Sequence, residues 1–329
     1  MEQGIAVLAS SSLGDIRGHA SVPASILLSI DVEDRQQLLE RRVGRMDWNK
    51  PTQTFRRQMT AALDLLDELG CRATHFMLGV TAEHHPDLVQ RAVARGDEIA
   101  CHGYAHRRVY RQTRKEFELE LVRAVELLEQ MTGTRPRGFR APWFSVNRES
   151  MWMYDVLTDL GFTYDASLND TPRVPKRLKS IPSCPVRLRL DSGRSIHVVP
   201  ATCLNLPLRG RIPAGGGGYW RALPTSWVKN AVEQSIASFG LASLYLHPYE
   251  FDPVTLDAIK PSRFGLHLWP SMKAVWDNFR RAEVMATLRA VAQSHTTTSY
   301  EEGLAEFART RSLRTVELSR KGVFNTLSV

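Results

Sequence analysis

Residues 26–34 read Ile26-Leu-Leu-Ser-Ile-Asp-Val-Glu-Asp34, a short apolar run that ends in three carboxylates. The run has the length of a buried strand, and acidic residues at a strand's C-terminal end are what the active-site rim of an α/β fold requires. The same kind of joint recurs downstream. Helical patterns end on Gly70, Gly96, Gly133, Gly161 and Gly240, and each glycine is followed within a few residues by a short apolar stretch. A left-handed C-cap feeding a strand produces this pattern. Before Gly70, the residues Phe55, Met59, Ala62, Leu66 and Leu69 fall on one helical face. Before Gly133, Thr113 and Glu116 form a capping-box pair ahead of Phe117, Leu121, Ala124, Leu128 and Met131. Asn147 is placed to cap the helix running to Gly161, and Thr225 the one ending near Gly240. Alternating strand and helix predicts parallel strands joined by crossover helices, in an α/β barrel or a doubly wound sheet.

Around this rhythm, residues 1–24 read as an N-terminal extension and residues 25–310 as one domain. Residues 170–224 break the pattern with Pro, Gly and Arg, and within them Val186–Leu190 and Ser195–Val199 predict a small β-hairpin insertion. After Pro270 a long helix over about Lys273–Ser294 is expected, then a strand at Thr296–Thr298 and a short helix from Ser299. The basic tail, residues 311–329, is expected to be loosely held.

With 329 residues, 43% hydrophobic and 24% charged, the chain can bury a sizeable core, which excludes disorder for most of it. Met1–Ala20 carries Glu2 in place of a basic region, and its apolar run Ile5–Ala9 is too short for a signal peptide or a membrane span. A cytoplasmic protein is the expectation. Cys71, Cys101, Cys184 and Cys203 form no CxxC pair, which fits a reducing compartment. The net charge of +8 is mostly dispersed arginine on a solvated face, and it also suits an anionic partner such as a diphosphate-linked glycan or a membrane surface touched peripherally. Nucleic acid is not expected, because no interleaved basic and aromatic motif occurs.

Polar residues of catalytic type recur at the strand ends: Asp31, Glu33 and Asp34, then His102, Arg140, Asp165 with Ser167, and His247. In a parallel α/β fold these ends share one rim. His102-Gly-Tyr-Ala-His106 can chelate a divalent ion, although such a pair arises readily by chance. A carboxylate as third ligand leaves a position open for water, the arrangement of a catalytic zinc. Cys101 points to the opposite face from His102 and is expected to pack behind the site. Each residue has a plain structural alternative: an exposed acidic turn for residues 31–34, a surface ion pair for Arg140, a cap for Asp165 and a core histidine for His247.

Taken in order, Ser29-Ile-Asp-Val-Glu-Asp34, Ala73-Thr-His-Phe-Met-Leu-Gly79, His102 to His106, Arg140-Ala-Pro-Trp-Phe-Ser145, Tyr164-Asp-Ala-Ser167 and Leu246-His-Pro-Tyr-Glu250 resemble the polysaccharide deacetylases of the NodB-homology type, carbohydrate esterase family 4. The nearest branch is that of bacterial exopolysaccharide loci opening on a DVED motif. The resemblance implies a distorted (β/α) barrel of about seven strands, a divalent metal, usually Zn2+, and removal of an N-acetyl group from an amino sugar in a saccharide or glycoconjugate. It implies Asp31 as general base, His102 and His106 as metal ligands with Glu33 or Asp34, Arg140 as the partner of Asp31, and His247 as general acid, with Asp165 to orient it or hold its proton. A regular strand puts Glu33 on the face of Asp31, whereas Asp34 needs a bulge, and the choice stays open. Trp143, Tyr219, Trp220 and Tyr249 are candidate sugar-stacking surfaces. The rival readings are hydrolysis of a cyclic amide or an N-formyl sugar on the same barrel, and a non-catalytic carbohydrate-binding protein. The oligomeric state is left unassigned.

Overall fold

In the computed structural model, which describes residues 25–42, 52–170, 174–206, 210–257 and 268–326, the predicted first strand forms and stands second in the sheet, paired with three others. The N-terminal extension lies outside the described residues. Strand β1 (Ser25–Val32) is buried almost throughout and pairs in parallel along one edge with β10 (Leu241–Leu246). Along its other edge it pairs first with β11 (Thr296–Thr298) and then with β2 (Thr74–Met77). From β2 the sheet continues in parallel through β3 (Glu98–Cys101), β4 (Gly138–Phe139), β5 (Tyr164–Asp165) and β7 (Ser195–Val198). Seven parallel strands thus run in the order β10-β1-β2-β3-β4-β5-β7. The gap between β7 and β10 is spanned by the segment after β7: Thr202 N–H donates to Ser243 O at 3.1 Å, Ser243 N–H donates to Thr202 Oγ1 at 2.8 Å, and Gly216 bridges Tyr245. The result is a distorted, incompletely closed (β/α) barrel.

The helices form where the pattern placed them, for the reasons it gave. Thr52 caps Gln53–Glu68 by accepting from Phe55 N–H, and Phe55, Met59, Ala62 and Leu66 are buried beneath it. Thr113 and Glu116 complete a reciprocal capping box at Arg114–Thr132, which ends on Gly133 at φ +72°. All five joint glycines take positive φ, a conformation that strains any residue with a Cβ. No helix among the described residues is long and apolar enough to cross a membrane.

Four local expectations are corrected. Asn147 Oδ1 accepts from Glu149 N–H in a turn and does not cap the helix, which runs over Met153–Asp159. Thr225 is the first residue of Thr225–Phe239, with Pro224 at the cap, and its hydroxyl meets that of Thr287. The long helix is two, Leu268–Asn278 and Arg281–Ala292, because the Asn278 side chain is tied to the Leu256 backbone and Arg280 turns at φ +47°. The hairpin and the tail are structural as well. β6 (Val186–Arg189) pairs antiparallel with β7, β12 (Thr315–Leu318) pairs with β6, and β13 (Phe324–Thr326) pairs with β12, burying Val316 and Phe324. The hairpin therefore supplies the seventh barrel strand, and the tail is held through Thr326, the last described residue. A second small hairpin joins β8 (Cys203–Leu206) to β9 (Gly210–Pro213).

Candidate active site

Asp31, next to last in β1, and Arg140, just past β4, are both buried and meet with Nη1 2.5 Å from Oδ1. The remaining guanidinium bonds fix this pair. Nη1 also donates to Ser29 Oγ at 2.8 Å, Nη2 to the Tyr300 hydroxyl at 2.8 Å and Nε to Ala166 O at 3.1 Å, while the cation lies 4.0 Å from the Phe76 ring centre. Burial alone would depress the Arg140 pKa, but the charge and hydrogen bond of Asp31 together with Tyr300 and Tyr245 outweigh it and raise it. The Tyr300 hydroxyl is in turn 2.6 Å from Ser243 Oγ. Neither Tyr300 nor either serine carries a local signal in sequence.

Beyond β1 the chain turns sharply, with Glu33 N–H donating to Asp31 O at 3.0 Å. The turn brings Glu33 Oε2 to 2.6 Å from His106 Nε2 and 3.6 Å from His102 Nε2, all three residues being buried. His102 Nδ1 is hydrogen-bonded to Arg140 O at 2.8 Å, so its ring presents Nε2 to the group. Burial raises the Glu33 carboxyl; the charge of His106 and the hydrogen bonds of both histidines, helped by His247, outweigh burial and hold it well below the usual carboxylate range. The three ligand atoms lie within 4.8 Å of one another. Two imidazole nitrogens and one carboxylate oxygen, oriented from behind, fit a divalent ion of the zinc type with positions left open.

Asp34, the other carboxylate left open by the sequence, is not in this group. Its Oδ1 accepts from Gln36 N–H at 2.9 Å and its Oδ2 from Thr52 N–H and Oγ1 at 3.1 and 2.7 Å, so it caps the helix Arg35–Arg42 and ties it to residue 52.

His247 follows β10 and points Nε2 at Glu33 Oε1, 3.5 Å away. Its orienting partner is Glu250, not Asp165. Glu250 Oε2 accepts from His247 N–H at 2.9 Å and stands 3.4 Å from Nδ1, closing a capping box on the turn Pro248–Phe251, and the Tyr249 ring stacks on the imidazole at 5.4 Å. Burial depresses the imidazolium, yet Glu250, Glu33 and Asp31 together raise its pKa to about 9. The His-x-x-Glu spacing with proline between was a readable signal for Glu250. Asp165 is fully buried with Ser167 Oγ as its hydrogen-bond partner and Tyr154 beside it, and burial pushes its carboxyl up to about 7.

Of the aromatic candidates, Trp143 stands on the rim, 39% exposed, its ring 5.4 Å from that of His106 and 4.7 Å from the Arg108 guanidinium. Tyr249 is buried against His247, and Trp220 is buried with Nε1 donating to Ala214 O at 2.7 Å, so neither is an open stacking surface. Tyr219 is half-buried. Cys101 packs in the core, where burial pushes its thiol up to about 12.

A seven-strand parallel barrel with this rim defines the class of NodB-type deacetylase barrels, and the sequence comparison agrees. Residues 50–164 match the family model described as Polysaccharide deacetylase, and residues 171–292 match Domain of unknown function (DUF3473). Residues 50–164 thus carry a polysaccharide deacetylase domain, followed directly by the region of unknown function. The first match holds His102, His106 and Arg140; the second holds β6 to β10 with His247 and Glu250; Asp31 and Glu33 precede both. The region of unknown function thus builds the closing part of the same barrel. A peptidoglycan deacetylase of Helicobacter pylori is 33% identical over 106 residues, 32% of this chain and 35% of that protein. The chain spans about a third of the length of the curated relatives it matches. Among solved structures, a candidate polysaccharide deacetylase from Mycobacterium smegmatis has a TM-score of 0.57 at 20% identity, covering 94% of this chain and 97% of that one. Puue allantoinase has a TM-score of 0.54 at 16% identity, covering 87% and 90%. These two likenesses concern the fold.

Proposed function

We propose that the protein is a divalent-metal-dependent hydrolase that removes the N-acetyl group from an amino sugar within a saccharide or glycoconjugate. The observation that carries this reading is the meeting, on one rim, of the Glu33, His102 and His106 group with the Asp31–Arg140 pair and His247. Glu33, His102 and His106 would hold the ion, which when bound polarises an amide carbonyl and acidifies water. Asp31 takes the proton of the attacking water, and Arg140 fixes it for that task. His247 delivers a proton from Nε2 to the departing amine, which leaves poorly unprotonated. Glu250 and the Tyr249 ring hold the imidazole in line. Trp143 offers the exposed ring on which a sugar face can rest.

The test is product analysis of the metal-loaded protein on a panel of N-acetylated saccharides, nucleotide sugars and lipid-linked glycans. Acetate and the matching free amine in equal amounts are expected. Inertness toward every acetylated sugar, with hydrolysis of a cyclic amide or an N-formyl sugar, would overturn the assignment in favour of that bond. Saturable saccharide binding with no hydrolysis of any amide would favour a binding protein.

A further inference from the structure

Behind Tyr249, whose ring stacks on His247, the described residues bury more positive than negative side-chain charge. Arg35, Arg221, Lys273 and Arg281 come from four separate segments; the first three gather around Asp277, and Arg281, whose Nη2 donates to Val254 O, stands between Asp252 and Asp277. Arg35 Nε is 2.6 Å from Asp277 Oδ2, Lys273 Nζ is paired with Oδ1, and Arg221 Nη1 donates to the Asp277 carbonyl at 2.9 Å. Arg221 Nη2 lies 3.3 Å from Glu250 Oε1. Asp252, the next carboxylate, is already taken by Arg57 at 2.8 Å. Asp252 is also the strongest charge partner of Arg281, so among the described residues five cations, Arg57 included, share the three carboxylates Asp252, Asp277 and Glu250. The three arginines are more than nine-tenths buried, and each has a buried nitrogen without a hydrogen-bond partner: Nη2 of Arg35, Nε of Arg221 and Nη1 of Arg281. Burial, together with repulsion from Arg35 and Arg221, lowers the pKa of Lys273 despite Asp277 and that of Arg281 despite Asp252 and Asp277.

Buried charges are normally paired and buried N–H groups bonded, because either omission is costly. A multiply charged oxyanion corrects both at once, and guanidinium forks suit its geometry. The Lys273 side chain, 31% exposed, gives the cluster its contact with solvent. Arg35, Arg221 and Lys273 all lie within 6.0 Å of the centre of the Tyr249 ring, which itself stacks on His247.

We propose that Arg35, Arg221, Lys273 and Arg281 form a subsite for a phosphate or diphosphate group, one aromatic ring removed from His247. The inference rests on the deacetylase reading only in assigning that group to a sugar substrate. Isothermal titration of the full chain with inorganic pyrophosphate tests the site without turnover. EDTA is kept present so that no metal-held anion contributes, and ionic strength is matched with chloride. Saturable binding is expected, weakened about tenfold or more in Arg35→Gln and in Lys273→Met. Lys273 is partly exposed, so its variant keeps the test informative if Arg35→Gln does not fold. No saturable binding by the wild type, or unchanged affinity in folded Lys273→Met, would overturn the proposal. The source of the anion is read in the metal-loaded enzyme. A kcat/KM preference for a phosphorylated N-acetyl amino sugar over its unphosphorylated form, diminished in Lys273→Met, assigns the group to the substrate. Pyrophosphate binding without that preference supports the site and assigns it to free phosphate. Binding without turnover of any acetylated sugar supports the anion site and counts against the deacetylase reading alone.

Discussion

Replacing Arg140 by Met removes the only cation paired with Asp31 among the described residues, in a place sealed from solvent. Breaking a buried pair from one side costs about 3–5 kcal/mol, against roughly 0–1 for a pair at the surface. The upper range applies here, because Ala166 O also loses its donor, whereas Ser29 Oγ keeps its own bond to Leu244 O at 2.9 Å. Most of the cost is the stranded Asp31 charge, which gives the substitution a second, sharper signature. In an Asp31→Asn background Arg140→Met strands no carboxylate and removes a cation already left unpaired, so it should cost less there by about 2 kcal/mol, within the usual range for directly coupled groups. Urea denaturation of the wild type, both single variants and the double variant measures this coupling. Additive costs, agreeing within about 0.5 kcal/mol, would refute the claim that the pair is one electrostatic unit. Asp31→Asn alone should keep its bound metal while kcat falls by about 10² or more.

Three further outcomes are expected. His102→Ala and His106→Ala should each lose most of the bound divalent ion by elemental analysis, whereas Asp34→Asn should keep it and lose about 1 kcal/mol of stability as a weakened cap; metal loss in Asp34→Asn with retention in the histidine variants would reverse the assignment. His247→Ala should depress kcat on an acetamide far more than on an activated ester, whose leaving group needs little protonation, and equal losses would remove it as the acid. Asp165 sits at about 7 in the fold and near 4 in the unfolded chain, so the native state holds a proton that the unfolded state has released between those values. Its stabilising contribution is complete below about pH 4 and is lost as pH rises to about 7, by up to about 4 kcal/mol. Asp165→Asn should flatten that slope in denaturation curves taken from pH 4.5 to 7; an unchanged slope would place the titration elsewhere.

What could be read in the sequence was whatever depends on neighbours three or four residues away. The capping box at Thr113, the apolar face from Phe55 to Leu66 and the left-handed glycines are of this kind, and through them the strand ends carrying Asp31, His102, Arg140 and His247 could be placed on one rim. Glu33 and Asp34 could not be separated, because the choice turns on an unusual bond between residues 33 and 31 and on Thr52, which is remote in sequence. Tyr300 meets Arg140 across 160 positions and Arg35 meets Asp277 across 242, contacts that no local pattern encodes. The tail was misread because β12 and β13 are too short to show a period and take their stability from β6. Asp165 was misassigned because standing at a strand end does not reveal that its side chain turns toward Ser167.

The place of β1 between early and late partners has a consequence for synthesis. Thr74–Met77 can join β1 soon after it is made, but the opposite edge pairs with Leu241–Leu246 and so waits for about two hundred further residues, and Ser25–Leu27 on the first edge wait longer still for Thr296–Thr298. At a translation rate of roughly 5–20 residues per second, that is a delay of about ten to forty seconds. During it Asp31 and Glu33 exist without His247, and a long apolar strand keeps an unpaired edge of the kind that invites aggregation. The growing chain thus lacks the complete rim until His247 has emerged, and that interval is where shielding of the nascent strand matters most.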